Sequence, residues 1–255
     1  MMIPIAEDFK TNTFETVVLV RRSVGKRILL IHGLACTKEI WFLYPLIFPE
    51  HIFIAYDQRG FGMGIAKDGK YDFSSYISDA EAIIKKYQPD LVIGHSFGGT
   101  IAQVISSKFK IPAILLQTTS RPPENIKSMT DEELEQYAKQ YTLAIRMQIR
   151  QAIAESLAKY IFIPFSLVPV LYILQYSPAF PAMRHLRDVL DFTDLCPEDK
   201  DANIVKVMGG KRDTIVSEKE IEHLSNCANK KPEFKDVNHI GILYPDFVYA
   251  SLKTG

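Results

Sequence analysis

The sequence is poor in cysteine: it has only three, Cys36, Cys196 and Cys227, and they lie far apart. Their odd number and wide separations fit neither a disulfide framework nor the ligand spacing of a metal site. We therefore predict no disulfide framework, no bound metal and a reducing compartment, which favours a cytoplasmic location. We also predict no secretion signal, because Glu7 and Asp8 stand where it would need an apolar run.

Net charge is absent as well, since 30 Lys and Arg residues balance 30 Asp and Glu residues. The charges are scattered along the chain, and there is no basic stripe of the kind that binds a nucleic-acid backbone. We expect no nucleic-acid partner. A chain of 255 residues with 47% hydrophobic residues can bury a sizeable core without covalent support.

Residues 160–176 form an apolar stretch without a charged residue. This stretch is slightly short for a membrane-spanning helix, and Pro164 and Pro169 interrupt it. We therefore predict no membrane span. Whether the stretch lines a pocket, packs within its own segment, or contacts a membrane surface or a second subunit is left open by the sequence.

Short apolar strands alternate with helical patterns along most of the chain. Runs of continuous apolar residues indicate strands that are buried on both faces of a sheet. The predicted strands are residues 13–20, 27–32, 51–57, 91–95, 112–117, 203–208 and 233–237. The predicted helices include residues 74–87, 98–109 and 217–227, the last with a capping-box pattern. This order predicts an α/β fold with a mostly parallel central sheet and helices on both faces.

The alternation stops from residue 121 to residue 195, where the pattern is helical and apolar without a clear strand. Arg121-Pro122-Pro123 marks the entrance, and a helix is predicted from residue 130 to about residue 159. The segment is too short and too apolar to be stable as a separate domain. We predict a core of residues 1–120 and 196–255, and a helical cap of residues 121–195 inserted between two late strands.

The sequence GHSFGG, residues 94–99, follows an apolar strand and precedes a helix. In that setting, G-x-S-x-G is typical of a tight turn that exposes a nucleophilic serine, here Ser96. Gly94 and Gly98 leave room for the turn, and Gly99 lets the helix pack close to the sheet. No Lys-Ser or Lys-Thr pair follows, so the turn is not a phosphate loop. A glycine-rich turn that only packs is the remaining alternative.

Five motifs follow one another over essentially the whole chain: HGL (32–34), YDQRGFG (56–62), GHSFGG (94–99), GGKRD (209–213) and NH (238–239). In this order and spacing they resemble the α/β-hydrolase superfamily, and serine esterases with a helical lid in particular. The resemblance implies that the backbone N–H groups of Leu34 and Phe97 form an oxyanion hole. It also implies that YDQRGFG is a structural loop; its G-x-G lacks the third glycine of a dinucleotide-binding loop.

The acid and the base should follow the nucleophile, with the base last in the chain. His239 comes just after the last predicted strand. Asp213 follows the preceding strand, at the same sheet edge as Ser96. Asp236 is nearer to His239 but belongs to a strand, and residues 117–121 offer no carboxylate. We predict Ser96, Asp213 and His239 as a catalytic triad.

The predicted chemistry is hydrolysis through an acyl-enzyme on Ser96, which needs no metal and no organic cofactor. Because the cap is apolar, the expected substrate is a small carboxylic ester with an apolar acyl or alcohol group. Thioesters, lactones and carbon–carbon bonds remain alternatives. So do proline iminopeptidase substrates, whose free amine would need carboxylates such as the cap glutamates. Acyl transfer, a non-catalytic receptor or scaffold, and the oligomeric state stay open.

Overall fold

A computed structural model describes residues 5–20, 23–159, 180–196 and 202–253 of the chain. The uncharged stretch 160–176 falls outside these residues, so its role stays a prediction. Among the helices that are described, none is long and apolar enough to cross a lipid bilayer.

Nine strands of the described chain form one sheet. In chain order they are β1 (Ile5–Lys10), β2 (Phe14–Val20), β3 (Arg27–Ile31), β4 (Ile52–Tyr56), β5 (Ile65–Ala66), β6 (Leu91–His95), β7 (Ala113–Leu116), β8 (Ile204–Gly210) and β9 (Glu233–Lys235). They lie side by side as β1-β2-β4-β3-β6-β7-β8-β9, and β5 pairs with β2. β2 is antiparallel to its neighbours, and the pairings from β4 across to β9 are parallel. The mostly parallel sheet predicted from the sequence is confirmed.

Helices fill most of the connections, as parallel strands require. They are α1 (Tyr44–Ile47), α2 (Phe73–Tyr87), α3 (Phe97–Phe109), α4 (Asp131–Lys159), α5 (Leu186–Val189), α6 (Glu218–Cys227) and α7 (Pro245–Leu252). The capping box predicted at the start of α6 forms between Ser217 and Glu220. β1 was not predicted, because most of its side chains are exposed and it carries no apolar run.

The central strands are buried almost throughout, which is why their sequences are continuously apolar. All the residues of β6 and β7 are buried, and β3 is buried from its second residue on. Each fully buried Val, Leu or Ile side chain stabilises the fold by about 1.5–3 kcal/mol relative to exposure. Because β3, β6, β7 and β8 run in parallel, their carboxyl ends share one edge of the sheet, where functional loops of α/β folds converge.

The helical segment between β7 and β8 contains α4, a 3₁₀ helix at Pro181–His185, and α5. α4 is 29 residues long and packs against that 3₁₀ helix and against a second one at Gly241–Leu243. One side of α4 therefore lies over the chain that follows β9. The division into a core and a cap of residues 121–195 stays a prediction.

A disulfide joins Cys196 to Cys227, whereas the number and spacing of the cysteines had implied no disulfide framework. The two residues are 31 positions apart, but the fold brings their Cα atoms to 5.4 Å. The chain returning from the helical segment passes the last turn of α6, a long-range contact that sequence spacing does not reveal. The third cysteine, Cys36, is free and buried. Because disulfides are rare in reducing compartments, the cysteines no longer support a cytoplasmic location, which stays a prediction.

The charged side chains of the YDQRGFG loop are engaged within the fold. The buried Asp57 carboxylate accepts hydrogen bonds from the Lys38 ammonium at 2.6 Å and the Lys38 backbone N–H at 2.7 Å. The buried Arg59 guanidinium binds Asp79 through two hydrogen bonds, of 2.6 and 2.8 Å. Both charges thus have close partners, as a structural loop requires.

Replacing Asp79 with alanine should lower the free energy of unfolding by about 3 kcal/mol, because the buried Arg59 guanidinium would lose two hydrogen bonds and keep only Asp68, 3.2 Å away, as a charged partner. Urea unfolding followed by circular dichroism measures this change. Glu135→Ala is the matched control, since Glu135 pairs with Lys139 on an exposed helix face and its loss should leave stability nearly unchanged. Equal effects of the two substitutions would contradict a structural role for the Arg59–Asp79 pair.

Candidate active site

Ser96 lies in a sharp turn between β6 and α3. Its backbone has φ 52° and ψ −124°, a conformation that a residue with a side chain rarely adopts. The turn directs the Ser96 side chain to the carboxyl edge of the sheet, and the backbone N–H groups at the start of α3 follow directly. Strain of this kind persists only where the surrounding structure holds it.

Close backbone contacts hold the turn, and glycines make them possible. A Cβ atom on Gly94 would come within 2.3 Å of the Gly98 carbonyl oxygen. A Cβ atom on Gly98 would come within 2.2 Å of the carbonyl oxygen of Ile31 in β3. On Gly99 it would meet Thr118 at 2.6 Å, so α3 packs as close to the sheet as the sequence predicted.

The structure brings Ser96, His239 and Asp213 together. The Ser96 Oγ atom lies 3.0 Å from His239 Nε2, and His239 Nδ1 lies 2.8 Å from Asp213 Oδ2. The His239 and Asp213 side chains are only 0% and 1% exposed. Because a carboxylate can only accept, Nδ1 carries the imidazole hydrogen and Nε2 is left to accept from the Ser96 hydroxyl.

Asp213 is held in its ionised form. Burial by itself raises the pKa of its carboxyl group. The charge and hydrogen bond of His239 and the N–H groups of Val216 and Ile215 lower the pKa by more than burial raises it, so the net pKa shift is downward. The two N–H groups donate to Oδ1 at 2.9 Å each. Oδ2 additionally accepts from Gln117 Nε2 at 3.0 Å. The carboxylate is therefore charged and fixed in direction at neutral pH.

Gln117 is a positioning residue that the sequence analysis missed. It follows β7 directly, with a backbone φ of 49°. Its Nε2 group donates to Asp213 and, at 2.6 Å, to the Asn238 carbonyl, and its Oε1 accepts from the Gly241 N–H at 2.7 Å. It thus ties the acid to the loop that carries the base. The sequence signal that could have identified Gln117 is its position at the carboxyl end of a buried strand.

The backbone of His239 is also clamped from two sides. The His95 Nε2–H group donates to the His239 carbonyl at 2.7 Å. Burial lowers the pKa of His95 to about 3, so its ring stays neutral. On the other side, Gln148 of α4 accepts from the His239 N–H at 2.8 Å through its Oε1 atom. The backbone that carries the His239 imidazole is therefore held by the sheet edge and by α4 together.

A cavity of about 180 Å³ opens beside Ser96. Leu34 and Phe97, the predicted oxyanion-hole residues, both line it. Gly33 brings the HGL turn close, because a Cβ atom there would lie 2.9 Å from the Ser96 Cβ. The other lining residues are largely apolar and include Leu186, Leu190, Phe192, Ile215 and Val216. Among the described lining residues the charged ones are Arg121 and Glu220.

α4 contributes a second residue that sequence reasoning missed. Tyr141 lines the same cavity, and its phenol lies near the Ser96 hydroxyl. Burial raises the pKa of Tyr141, so the phenol stays protonated.

The glutamates of the helical segment do not surround Ser96 in the described chain. Glu155 forms two hydrogen bonds with Arg212, of 3.0 and 2.8 Å, and this contact lowers its pKa to about 2. Glu133 accepts from the Thr130 N–H at the start of α4. Glu220, the one carboxylate in the cavity lining, is held in its capping box. These contacts do not favour an iminopeptidase-type amine site.

The chain matches the sequence model of an alpha/beta hydrolase family over residues 28–250. A search of curated proteins finds no match. A solved structure of the enol-lactonase from Burkholderia xenovorans LB400 is similar, with a TM-score of 0.71, 16% identity, and coverage of 92% of this chain and 93% of that chain. The structure of a thermophilic esterase from Thermogutta terrifontis has a TM-score of 0.71 at 16% identity, and the alignment covers 96% of this chain and 96% of that chain. The structure of a thioesterase domain from the curacin biosynthetic pathway has a TM-score of 0.68 at 16% identity, and the alignment covers 97% of this chain and 96% of that chain.

Replacing Asp213 with asparagine should lower kcat by about 10⁴-fold if this residue orients the imidazole, because an amide at this position favours the wrong tautomer. Steady-state hydrolysis of a p-nitrophenyl ester measures the loss. Asp236→Asn is the matched control: Asp236 is 80% exposed and pairs with Arg212. It should leave kcat unchanged, and the reverse pattern would assign the acid to Asp236.

Proposed function

Because the chain belongs to the alpha/beta hydrolase family, we propose that it is a serine hydrolase that cleaves small carboxylic esters through an acyl-enzyme on Ser96. The observation that carries this proposal is the hydrogen-bond path from the Ser96 hydroxyl through His239 to the buried Asp213 carboxylate. A nucleophile, a base and an orienting acid within hydrogen-bond reach are the elements of acyl transfer to serine.

In the first half-reaction, His239 Nε2 takes the hydroxyl proton as Ser96 Oγ forms a bond to the acyl carbon. Asp213 stabilises the resulting imidazolium and holds its tautomer. The backbone N–H groups of Leu34 and Phe97 are the proposed donors to the oxyanion, and the N-terminus of α3 adds a favourable dipole. Loss of one such donor typically costs about 2.7–4 kcal/mol of transition-state stabilisation. The imidazolium then gives its proton to the departing alkoxide.

In the second half-reaction, His239 takes a proton from water, and the hydroxide attacks the acyl carbon. The bond to Ser96 breaks, and the proton returns to Ser96 Oγ as the carboxylic acid leaves. The overall balance is ester plus water giving acid plus alcohol. Every proton transfer uses residues already present in the hydrogen-bond path, and no step needs a metal or an organic cofactor.

The cavity supports a small substrate. The cavity beside Ser96 measures about 180 Å³. Drug-sized ligands occupy pockets of about 300–1,000 Å³. The apolar walls suit the hydrocarbon part of a short acyl or alcohol group. Thioesters and lactones of similar size would use the same residues.

Wild-type protein should hydrolyse p-nitrophenyl acetate and butanoate, with kcat/KM falling at least about 10-fold for the octanoate, because one excluded methylene is worth about 1–3 kcal/mol. Ser96→Ala should lower kcat by at least about 10⁴-fold and abolish labelling by a fluorophosphonate probe. Equal turnover by the two proteins would refute the acyl-enzyme. If both are inert and unlabelled while a small ester raises the melting temperature, the protein is a receptor.

Tyr141→Phe should lower kcat by about 2- to 12-fold with little change in KM if the phenol donates a hydrogen bond worth about 0.5–1.5 kcal/mol to the Ser96 oxygen in the reacting complex. Tyr137→Phe is the matched control, since Tyr137 lines the same cavity and its ring lies 6.2 Å from that of Tyr141. Equal losses for the two variants would show that Tyr141 only fills space.

A further inference from the structure

A second cluster of reactive side chains lies where the helical segment returns to the sheet. His223 and Cys227 are four residues apart on α6, and therefore on one face of the helix. Asp194 and Cys196 are two residues apart in the returning chain, which crosses that face. The sulfur atoms of both cysteines and a ring nitrogen of His223 all lie within 4.8 Å of one another.

The distances in this cluster match those between ligands of a tetrahedral zinc ion. Zinc binds sulfur at about 2.3 Å and nitrogen or oxygen at about 2.0–2.1 Å, with tetrahedral geometry. In that geometry a sulfur and a nitrogen ligand lie about 3.5 Å apart, and a nitrogen and an oxygen ligand lie about 3.4 Å apart. Cys227 Sγ lies 3.7 Å from His223 Nε2. Asp194 Oδ2 lies 3.4 Å from the same nitrogen. The two sulfur atoms, which are bonded to each other, would have to separate, and the Asp194 carboxylate, which lies outside the group of mutually close ligand atoms, would have to turn towards them.

We propose that the chain, when its Cys196–Cys227 disulfide is reduced, binds one zinc ion through Cys196, His223, Cys227 and Asp194. A dithiol reductant supplies two electrons and two protons, becomes a disulfide itself and leaves two protein thiols. Zinc then displaces the two thiol protons and binds the two thiolates. The disulfide is the metal-free, oxidised state of the same site.

The charges around the cluster suit a bound cation. Zinc, two thiolates and the Asp194 carboxylate sum to one negative charge, which the Arg121 guanidinium balances. Arg121 Nε already donates to Asp194 Oδ2 at 2.6 Å, an outer contact of the kind that orients metal-ligating carboxylates. Arg121 Nη2 also donates to His223 Nε2 at 2.8 Å in the oxidised chain. A bound zinc ion would take the His223 Nε2 lone pair that now accepts this hydrogen bond. The hydrogen bond between Arg121 and Asp194 would remain.

A disulfide with a purely structural role would need the two sulfur atoms alone. The imidazole close to both sulfur atoms and the carboxylate beside that imidazole are additional. Asp194 Oδ1 accepts from the Cys196 N–H at 2.8 Å, which holds the carboxylate against the backbone of Cys196. Cys196, His223 and Cys227 are all half-buried, so the site is open enough for an ion to enter.

The test uses the full chain in two redox states. Protein is reduced with dithiothreitol, freed of reductant without oxygen, incubated with zinc chloride and desalted. Zinc is then measured by mass spectrometry beside a thiol count. We expect about one zinc per reduced chain and less than about 0.1 per oxidised chain. Cobalt in place of zinc should give a thiolate-to-metal charge-transfer band together with the absorption of a tetrahedral ion.

His223→Ala should weaken zinc binding by at least about 100-fold, because a direct ligand matters at least as much as an outer contact. Cys196→Ser should do the same. Cys36→Ser and His185→Ala, which remove a buried thiol and an imidazole of the helical segment, should bind zinc like the wild type. Circular dichroism confirms that each variant is folded.

The proposal is overturned if the reduced wild type shows its full thiol count but retains no zinc. It is equally overturned if folded His223→Ala binds zinc as tightly as the wild type. Because the readout is bound metal, neither result depends on the hydrolytic activity of Ser96.

Discussion

The close approach of three backbone segments around Ser96 is the constraint on which the site depends. β6 and α3 meet at Gly94 and Gly98, and the chain after the turn lies against the end of β3. This contact holds Ser96 at a positive φ that costs of order 1–3 kcal/mol in isolation. Burial of the apolar strands on either side stabilises the strained turn. The serine oxygen, the start of α3 and the HGL turn therefore keep a common geometry.

The base and the acid lie on loops, and hydrogen bonds rather than apolar packing fix them. His95 and Gln148 hold the backbone of His239, and Gln117 links that loop to Asp213. Because these bonds are buried, each is expensive to break without replacement. A site on two loops can thus keep the precision of a site on rigid elements, provided that its outer contacts are complete.

The helical segment between β7 and β8 does more than cover the sheet edge. α4 contributes Gln148 to the clamp on His239 and Tyr141 to the cavity beside Ser96. The end of the helical segment is tied to α6 by the Cys196–Cys227 disulfide. Arg121, which lines the same cavity, hydrogen-bonds both Asp194 at that end and His223 in α6. A change in the redox state of the cysteines would therefore act within reach of the proposed substrate site.

The sequence by itself determined the features that depend on neighbouring residues. Continuous apolar runs specify buried strands, and the capping box and the turn at Ser96 are each defined within a few positions. The choice of Asp213 and His239 used their order along the chain and the family resemblance, and the structure places both beside Ser96.

Only the tertiary structure decided which distant residues meet. Gln117, Tyr141 and the Cys196–Cys227 pair became visible through folding, because no periodicity or short motif records a contact between residues far apart in the chain. Hydrophobic burial follows from local composition, whereas hydrogen bonds and disulfides depend on positions within a few tenths of an ångström. Such positions are set by the packing of the whole sheet and its helices.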